Sequence, residues 1–216
     1  MLTIAVFSQK GGAGKSTLAV HLAVAASRSM KVILVDADQQ ATVANWAADR
    51  KQPSPFIARA EPSSIEQLLA AARDEGFDLA VIDCPPHAAP GTAALLRAAD
   101  HIVIPSQPTM PDLAATARSV ALARATGKPH SFVINRAPTR APEVAQTIAA
   151  LSTGGVVSPI VIGDRCAFSR ALADGIAVTE CASGSSKAAA EITDYWTWLS
   201  EHMRKEETWQ TQQAAA

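Results

Sequence analysis

One stretch decides the fold of this chain: Gln9-Lys10-Gly11-Gly12-Ala13-Gly14-Lys15-Ser16-Thr17. It stands between an apolar run (2–7), which predicts a strand, and a segment rich in Ala and Leu (16–28), which predicts a helix. Glycines let backbone N–H groups approach an anion closely, and a helix N-terminus favours negative charge. The Gly-Lys-Ser triplet matches the end of the common phosphate-loop pattern, although Gln9 stands at the position of its first glycine. The stretch therefore predicts a loop that binds phosphate.

The polar side chains of this loop have distinct expected roles. Lys15 should meet the β and γ phosphates of a nucleotide, and the Ser16 hydroxyl should ligate Mg²⁺. The alternative is a glycine-rich turn with a solvated lysine, which a flanking strand and helix disfavour. The expected nucleotide contacts are Lys10, Gly11, Gly12, Ala13, Gly14, Lys15, Ser16 and Thr17.

Three aspartates follow two further predicted strands. Asp36 and Asp38 follow the apolar run 32–35, and Asp83 follows the run 79–82. In an open α/β sheet, the carboxyl ends of the strands face the ligand crevice. Carboxylates gathered there are costly to bury without a cation, so they imply a metal ion. The alternative is that they cap strand ends or lie in surface turns.

Asn135 and Arg136 end the sixth predicted strand, 131–134. An asparagine side chain can pair with both donors and acceptors of adenine, and an arginine can stack on a purine. We expect these two residues to contact the base, with a simple turn asparagine as the alternative.

The order of elements predicts the fold class. Apolar runs alternate with longer Ala- and Leu-rich segments, and several runs are apolar at consecutive positions, which is typical of parallel strands covered on both faces. We predict a single α/β domain with the P-loop NTPase fold, with a mostly parallel sheet of seven or eight strands and helices on both faces. The domain should span 1–205, followed by a flexible tail at 206–216. The predicted strands are 2–7, 32–35, 56–58, 79–82, 102–104, 131–134 and 157–162, and the predicted helices are 16–28, 65–73, 93–98, 113–125, 142–151, 165–172 and 188–203.

Composition narrows the function further. The chain has 19 basic and 20 acidic residues and a net charge of −1, which argues against coating nucleic acid over its whole surface but permits a local basic patch. Three scattered cysteines are too few for a disulfide framework, so a cytoplasmic, reducing compartment fits best. Neither a signal peptide nor an apolar stretch of about 18 residues is visible.

The phosphate loop carries a family resemblance. Lys10-Gly11-Gly12-Ala13-Gly14-Lys15-Ser16-Thr17 resembles the deviant Walker A motif of the ParA/MinD family of P-loop ATPases. In that family the extra lysine, here Lys10, reaches across a dimer onto the partner's nucleotide. A cation near the γ phosphate would stabilise charge there as an arginine finger does.

The acidic segments extend the resemblance. Residues 35–40 are similar to the family's D-x-D-P-Q motif, with Gln39 in place of proline, and Asp83-Cys84-Pro85-Pro86 is similar to its D-x-P-P switch. The resemblance implies that Asp36 and Asp83 lie with Ser16 around Mg²⁺, and that Asp38 orients or activates the attacking water. It makes Lys10, Lys15 and Asp38 the catalytic set.

The resemblance is strongest to the short ParA proteins of plasmids, the ParF-like group. It implies an ATP-dependent homodimer that binds DNA without sequence preference, positions or segregates a cargo, and is activated by a ParB-like protein on that cargo. The cargo could be a plasmid, a chromosome or a protein microcompartment such as a carboxysome, and the protein would associate with the nucleoid. Residues 105–112 resemble a segment of the dimer interface. Candidate DNA contacts are Arg140, Arg165, Arg170, Lys187 and Arg204, for which a solvated surface is the alternative.

Two rival functions remain. The first is a MinD-like positioning ATPase that binds a membrane through its last helix. The apolar stripe of that helix looks like a core-docking face, and acidic residues interrupt it, so we expect no stable membrane association. The second is an iron–sulfur ATPase, which needs paired cysteine ligands at a dimer axis. The stripe consists of Ala188, Ile192, Tyr195, Trp196, Leu199 and Met203.

Overall fold

The computed structural model describes residues 1–86, 91–181 and 186–214. The strands are β1 (Leu2–Val6), β2 (Val32–Asp36), β3 (Phe56–Arg59), β4 (Leu79–Asp83), β5 (His101–Ser106), β6 (His130–Ile134) and β7 (Val156–Val157). The helices are α1 (Lys15–Ala26), α2 (Thr42–Ala48), α3 (Ile65–Asp74), α4 (Thr92–Ala98), α5 (Met110–Ala125), α6 (Glu143–Ser152), α7 (Cys166–Ala173) and α8 (Lys187–Ala214). A 3-10 turn, Val178–Glu180, follows α7.

The strands of the described part form one parallel sheet in the order β3-β2-β4-β1-β5-β6-β7. Strand β1 lies near the middle, with Val6 opposite Asp83 of β4 on one side and Val103 of β5 on the other. Strands β2, β4 and β5 are buried along their whole length, as expected for a parallel sheet covered on both faces. The predicted fold class, including seven strands, is confirmed.

A separate apolar core covers each face of the sheet. On one face, α1 packs with side chains of α2, α7 and α8, and on the other face α3, α4, α5 and α6 contribute. Ten of the twelve residues of α1 are buried, so this helix lies in the interior rather than along the surface. The predicted stripe on α8 is confirmed as a core face, because Ile192, Tyr195 and Leu199 are buried against this first core.

Strand β7 is much shorter than the predicted strand 157–162. Pro159 has no N–H for a ladder hydrogen bond, and the Ser158 side chain accepts a hydrogen bond from the backbone N–H of Ile160 (3.0 Å), which turns the chain. The segment returns to the sheet only at an isolated bridge between Ala137 and Gly163.

Helix α2 is absent from the sequence prediction. The Asp36 carboxylate accepts a hydrogen bond from the backbone N–H of Ala44 (2.8 Å) and so caps the first turn of the helix. Trp46 is buried, and its indole N–H donates to the carbonyl of Ile176 at 3.2 Å. Arg50 stacks on Trp46, with the guanidinium 4.7 Å from the ring centre. Long-range contacts therefore hold this helix in place.

Helix α8 continues to Ala214, beyond the predicted end at 203. A helical conformation does not test how mobile the segment is, so the expected flexibility of 206–216 stays a prediction. Within the described ranges, no helix has both the length and the apolar character that crossing a membrane requires.

Candidate active site

The phosphate loop leaves β1 and enters α1 through two glycines in left-handed conformation, Gly12 (φ +78°) and Gly14 (φ +85°). A Cβ atom on Gly14 would lie 2.4 Å from the side-chain nitrogen of Asn135, so no other residue fits there without displacing that side chain. Asn135 donates to the carbonyl of Ala13 (2.8 Å), and Arg136 donates to that of Gly12 (3.2 Å). The two residues predicted to contact a base thus also hold the phosphate loop.

Lys15 begins α1 and is 6% exposed. Its ammonium donates to the carbonyl of Lys10 at 3.4 Å, a long hydrogen bond. Burial lowers the pKa of Lys15, and the carboxylates of Asp83 and Asp38 oppose that shift. A buried cation at a helix N-terminus is a strong binding site for a phosphate group.

Asp83 ends β4, is fully buried, and makes no hydrogen bond of normal geometry to any described residue through either carboxylate oxygen. Burial raises its pKa to about 7; the nearby Ser16 hydroxyl and Lys15 oppose this, and the Asp36 carboxylate adds to it. A buried carboxylate with no hydrogen-bond partner among the described residues is costly to keep ionised unless a cation lies beside it. Oxygen ligands of this kind suit Mg²⁺, so the residues present fit the predicted metal.

The Asp36 and Asp38 carboxylates make different hydrogen bonds. Asp36 lies opposite Asp83 on the neighbouring strand, but its two oxygens accept hydrogen bonds from the N–H groups of Asp38 (3.1 Å) and Ala44 (2.8 Å). It therefore acts as a strand-end cap. Asp38 is 9% exposed, accepts from the Gln40 N–H at 3.0 Å, and lines the main cavity.

Lys10 lies at the rim and pairs with Asp112 at the start of α5. Asp112 is buried and also accepts a hydrogen bond from the Thr109 hydroxyl at 2.6 Å. From the same segment, the Gln107 side chain donates to the carbonyl of Gly12 at 2.8 Å. Sequence reasoning missed Asp112, although 105–112 was singled out as an interface-like stretch. Within one chain, Lys10 is thus held by the Asp112 carboxylate.

A cavity of about 780 Å³ opens beside the phosphate loop. This is within the range of pockets that hold small molecules. Arg136 pairs with Asp164 across its mouth at 3.3 Å. The exposed Cys166 also borders it, whereas Cys84 is fully buried, and burial raises the pKa of the Cys84 thiol. The cavity wall includes Gly11, Gly12, Gly14, Lys15, Ser16, Thr17, Asp38, Asn135, Arg136, Asp164, Arg165, Cys166 and Phe168.

The five candidate DNA contacts do not share one environment. Arg140, Arg170, Lys187 and Arg204 are exposed. Arg165 instead borders the cavity and forms a two-point ion pair with Glu191, at 2.6 and 3.0 Å. Hydrogen bonding to Glu191 raises the pKa of Arg165. Arg165 is therefore committed to holding α7 against α8 in this conformation.

A strand, a glycine-rich loop, a buried lysine at a helix N-terminus and carboxylates at adjacent strand ends define a P-loop NTPase. The family model described as the CobQ/CobB/MinD/ParA nucleotide-binding domain matches residues 4–178. The chain belongs to this family.

Curated relatives include proteins that position cargo. The Gloeobacter kilaueensis protein named maintenance of carboxysome distribution protein A is 35% identical over 139 residues, which is 63% of this chain and 64% of that protein, just under two thirds of its length. The protein of the same name from Halothiobacillus neapolitanus is 27% identical over 88% of this chain and 92% of that protein. The chromosome-partitioning ATPase Soj of Thermus thermophilus is 31% identical over 48% of this chain and 54% of that protein.

Solved structures share the fold. Apo McdA from Cyanothece superposes with a TM-score of 0.75 at 19% identity, over 91% of this chain and 98% of that one. The cell-division ATPase MinD of Pyrococcus furiosus gives 0.75 at 20% identity, over 93% of this chain and 98% of that one. These similarities support the P-loop NTPase architecture.

Proposed function

We propose that this protein is a Mg²⁺-dependent ATP hydrolase of the ParA type, which dimerises on ATP and positions a cargo by binding DNA without sequence preference. The observation that carries the proposal is the fully buried Asp83 carboxylate, for which the described residues offer no hydrogen bond of normal geometry, beside the buried Lys15. This pair is arranged for a metal–triphosphate complex and is costly to bury without one.

The protein groups would share the chemistry as follows. The N–H groups of the loop and Lys15 bind the phosphates, Ser16 and Asp83 hold Mg²⁺, and Asp36 supports that site through its neighbouring oxygens. When bound, Mg²⁺ would supply stabilisation of negative charge on the phosphates. Asp38 orients the attacking water from the cavity wall. Since its Oδ1 already accepts the Gln40 N–H, the loop fixes the direction of that carboxylate.

Lys10 would act across the dimer. To reach a partner's nucleotide it must leave Asp112, so dimer formation exchanges an ion pair within the chain for a contact with phosphate. The exchange couples ATP binding to assembly and makes hydrolysis, which removes the γ phosphate, the signal for dissociation.

The names of the relatives support the inference about the cargo. Two of them are named for maintaining carboxysome distribution and one for partitioning chromosomes. We infer a large cytoplasmic cargo on the nucleoid, with a protein microcompartment favoured, and a ParB-like activator on the cargo surface.

The test is the binding of a generic labelled DNA duplex, followed by fluorescence anisotropy with Mg²⁺ and ATP, ADP or no nucleotide. We expect binding only with ATP and weaker binding as salt rises, because phosphate contacts release counterions. Lys15→Ala is the control and should remove the ATP effect. If DNA fails to bind under every condition while liposomes sediment the protein with ATP, the MinD-like alternative replaces this proposal.

A further inference from the structure

Three side chains of the kinds that ligate metals meet at the amino end of the strands, opposite the end that carries the phosphate loop. His101 is the first residue of β5, whereas His202 and Glu206 lie one turn apart on α8. His101 Nδ1 is 3.0 Å from Glu206 Oε2, and His202 Nε2 is 3.2 Å from Glu206 Oε1. One ligand atom from each residue lies within 4.8 Å of the other two.

The surroundings of His101 resemble those of a metal-bound histidine. His101 is 1% exposed, and its Nε2 is 2.8 Å from the Ser131 hydroxyl on the adjacent strand. A histidine that ligates through one ring nitrogen usually has the other nitrogen fixed by a hydrogen bond. If Nε2–H donates to Ser131, the Nδ1 lone pair faces the Glu206 carboxylate. Two acceptors face each other stably only with a proton or a metal ion between them, and the 3.0 Å contact accommodates a proton as a hydrogen bond from Nδ1 to Glu206.

His202 adds a second, independent observation. Its Nε2 is buried and makes no hydrogen bond of normal geometry to the described residues, despite lying close to Glu206. The imidazole stacks on Trp198, with ring centres 5.1 Å apart and planes 8° apart. That stacking holds the ring and its nitrogen toward the cluster.

We propose that His101, His202 and Glu206 form a zinc site that fastens the end of α8 to β5. Two imidazoles and one carboxylate are a ligand set of Zn²⁺, and they differ from the oxygen-only set near Asp83 that suits Mg²⁺. Bonds of about 2.0–2.1 Å in a tetrahedral zinc site put ligand atoms about 3.4 Å apart. The ligand atoms here lie as much as 4.8 Å apart, so the widest pair closes by up to about 1.4 Å, which rotation of the partly exposed Glu206 and His202 side chains supplies, with water as a fourth ligand.

The direct test is zinc binding to the full-length, tag-free, chelator-treated protein by isothermal titration calorimetry in excess Mg²⁺. We expect one zinc ion per chain. His202→Gln and Glu206→Gln should each weaken binding at least about 100-fold, and Ser131→Ala about 10-fold, because it removes only the outer hydrogen bond. Glu201→Gln, an exposed change on the same helix, and Cys166→Ser should leave binding unchanged. Equal zinc affinity in wild type, His202→Gln and Glu206→Gln, or no zinc binding by wild type, would overturn the site.

Cobalt substitution gives an independent readout. Co²⁺ bound by nitrogen and oxygen ligands should give a visible absorption band without a thiolate charge-transfer band, and the band should disappear in Glu206→Gln. A band that survives in this variant, or thiolate absorption in wild type, would place the metal elsewhere. Both ligands on α8 are partly exposed, so these variants should fold, and circular dichroism checks that they do.

Discussion

At the scale of single residues, Lys10 has two competing binding partners. In one chain it pairs with Asp112, and in the proposed dimer it contacts the partner's nucleotide. Lys10→Ala should bind ATP normally, fail to dimerise, and hydrolyse ATP at least about 100-fold more slowly, as loss of an arginine finger does. Size-exclusion chromatography with light scattering and a phosphate-release assay measure both effects.

The substitution also leaves the buried Asp112 without its cation, so a matched control is needed. Asp112→Asn keeps the lysine and should dimerise at least as well as wild type. Lys10→Ala/Asp112→Asn removes the stranded charge and should still fail to dimerise. Full ATPase activity in Lys10→Ala would refute the role across the dimer.

Asp38 carries the second prediction. Asp38→Ala should bind ATP but hydrolyse it at least about 100-fold more slowly, because water is no longer oriented. The dimer should then persist in ATP on size-exclusion chromatography. The control is Glu61→Gln. Glu61 and Asp38 both line a second, smaller pocket beside β2, and this variant should hydrolyse ATP normally. A monomeric Asp38→Ala protein with bound ATP would contradict the model.

His21 predicts a dependence of stability on pH. Burial lowers its pKa from 6.5 to about 3, and its Nδ1 accepts the Val178 N–H at 3.4 Å, so the ring is neutral in the fold. An unfolded chain takes up this proton below about pH 6.5, so the stabilisation exists above that pH and is lost as the pH falls toward 3. Between pH 7.5 and 5 the loss should be about 2 kcal/mol.

Urea denaturation at both pH values measures this effect, and His21→Gln provides the comparison, since glutamine does not titrate. The variant should lose about 2 kcal/mol less than wild type between the two pH values. Identical pH dependence in the two proteins would show that His21 is not buried as a neutral ring.

The sequence predicted those site residues whose positions depend only on a neighbouring loop or strand end. Lys15, Ser16 and Asp83 follow directly from a loop or a strand end, and the structure brings them together. The pairing of Lys10 with Asp112 joins residues 102 positions apart, and no spacing rule contains such a contact. Arg165 was expected at a DNA or partner surface, but Glu191 pairs with it from another helix.

At the scale of elements, α2 depends on contacts made by Arg50 just beyond its end. Arg50 forms a two-point ion pair with Glu180, at 2.8 and 2.9 Å, its side chain is 3% exposed, and it stacks on Trp46. Arg50→Ala should lower the free energy of unfolding by about 2–3 kcal/mol, because it strands Glu180 and uncovers the indole.

Denaturant titration measures this loss. The exposed Arg97→Ala is the control and should change stability by no more than about 0.5 kcal/mol. The double variant Arg50→Ala/Glu180→Gln should cost less than the sum of its single changes, because the stranded charge is gone. Additive losses would mean that the two side chains do not interact.

Most strands of the fold were predicted from the sequence, whereas helix α2 was missed and strand β7 was predicted too long. Buried strands are apolar at consecutive positions, so β1, β2, β4, β5 and β6 were recognised within one or two residues of their ends. Helix α2 was missed because its stabilising contacts lie outside the segment: Asp36 caps it across a turn, and Trp46 donates to the distant Ile176 carbonyl. Strand β7 was overextended because the prediction followed the apolar run and gave too little weight to Pro159, which has no N–H for the ladder.

At the scale of the whole molecule, DNA binding requires the dimer to gather basic residues on one face despite the net charge of −1. Arg170→Glu/Lys187→Glu should weaken ATP-dependent DNA binding at least about 10-fold and reduce its salt dependence, since each removes a phosphate contact. Arg97→Glu makes the same charge change at a residue outside the candidate set and should have little effect. Unchanged anisotropy curves in the double variant would remove both residues from the DNA interface.

The contrast between the cysteines has a practical consequence. Cys84 is sealed inside the protein, whereas Cys166 is exposed at the mouth of the cavity, on the first turn of α7. A maleimide reagent will therefore alkylate Cys166 in preference to Cys84. Because a bound nucleotide would crowd that mouth, the rate of alkylation gives the protein its own chemical gauge of occupancy. With the partly exposed Cys181 changed to serine, a fluorophore attached at Cys166 could follow loading and release in real time, without modifying the nucleotide itself.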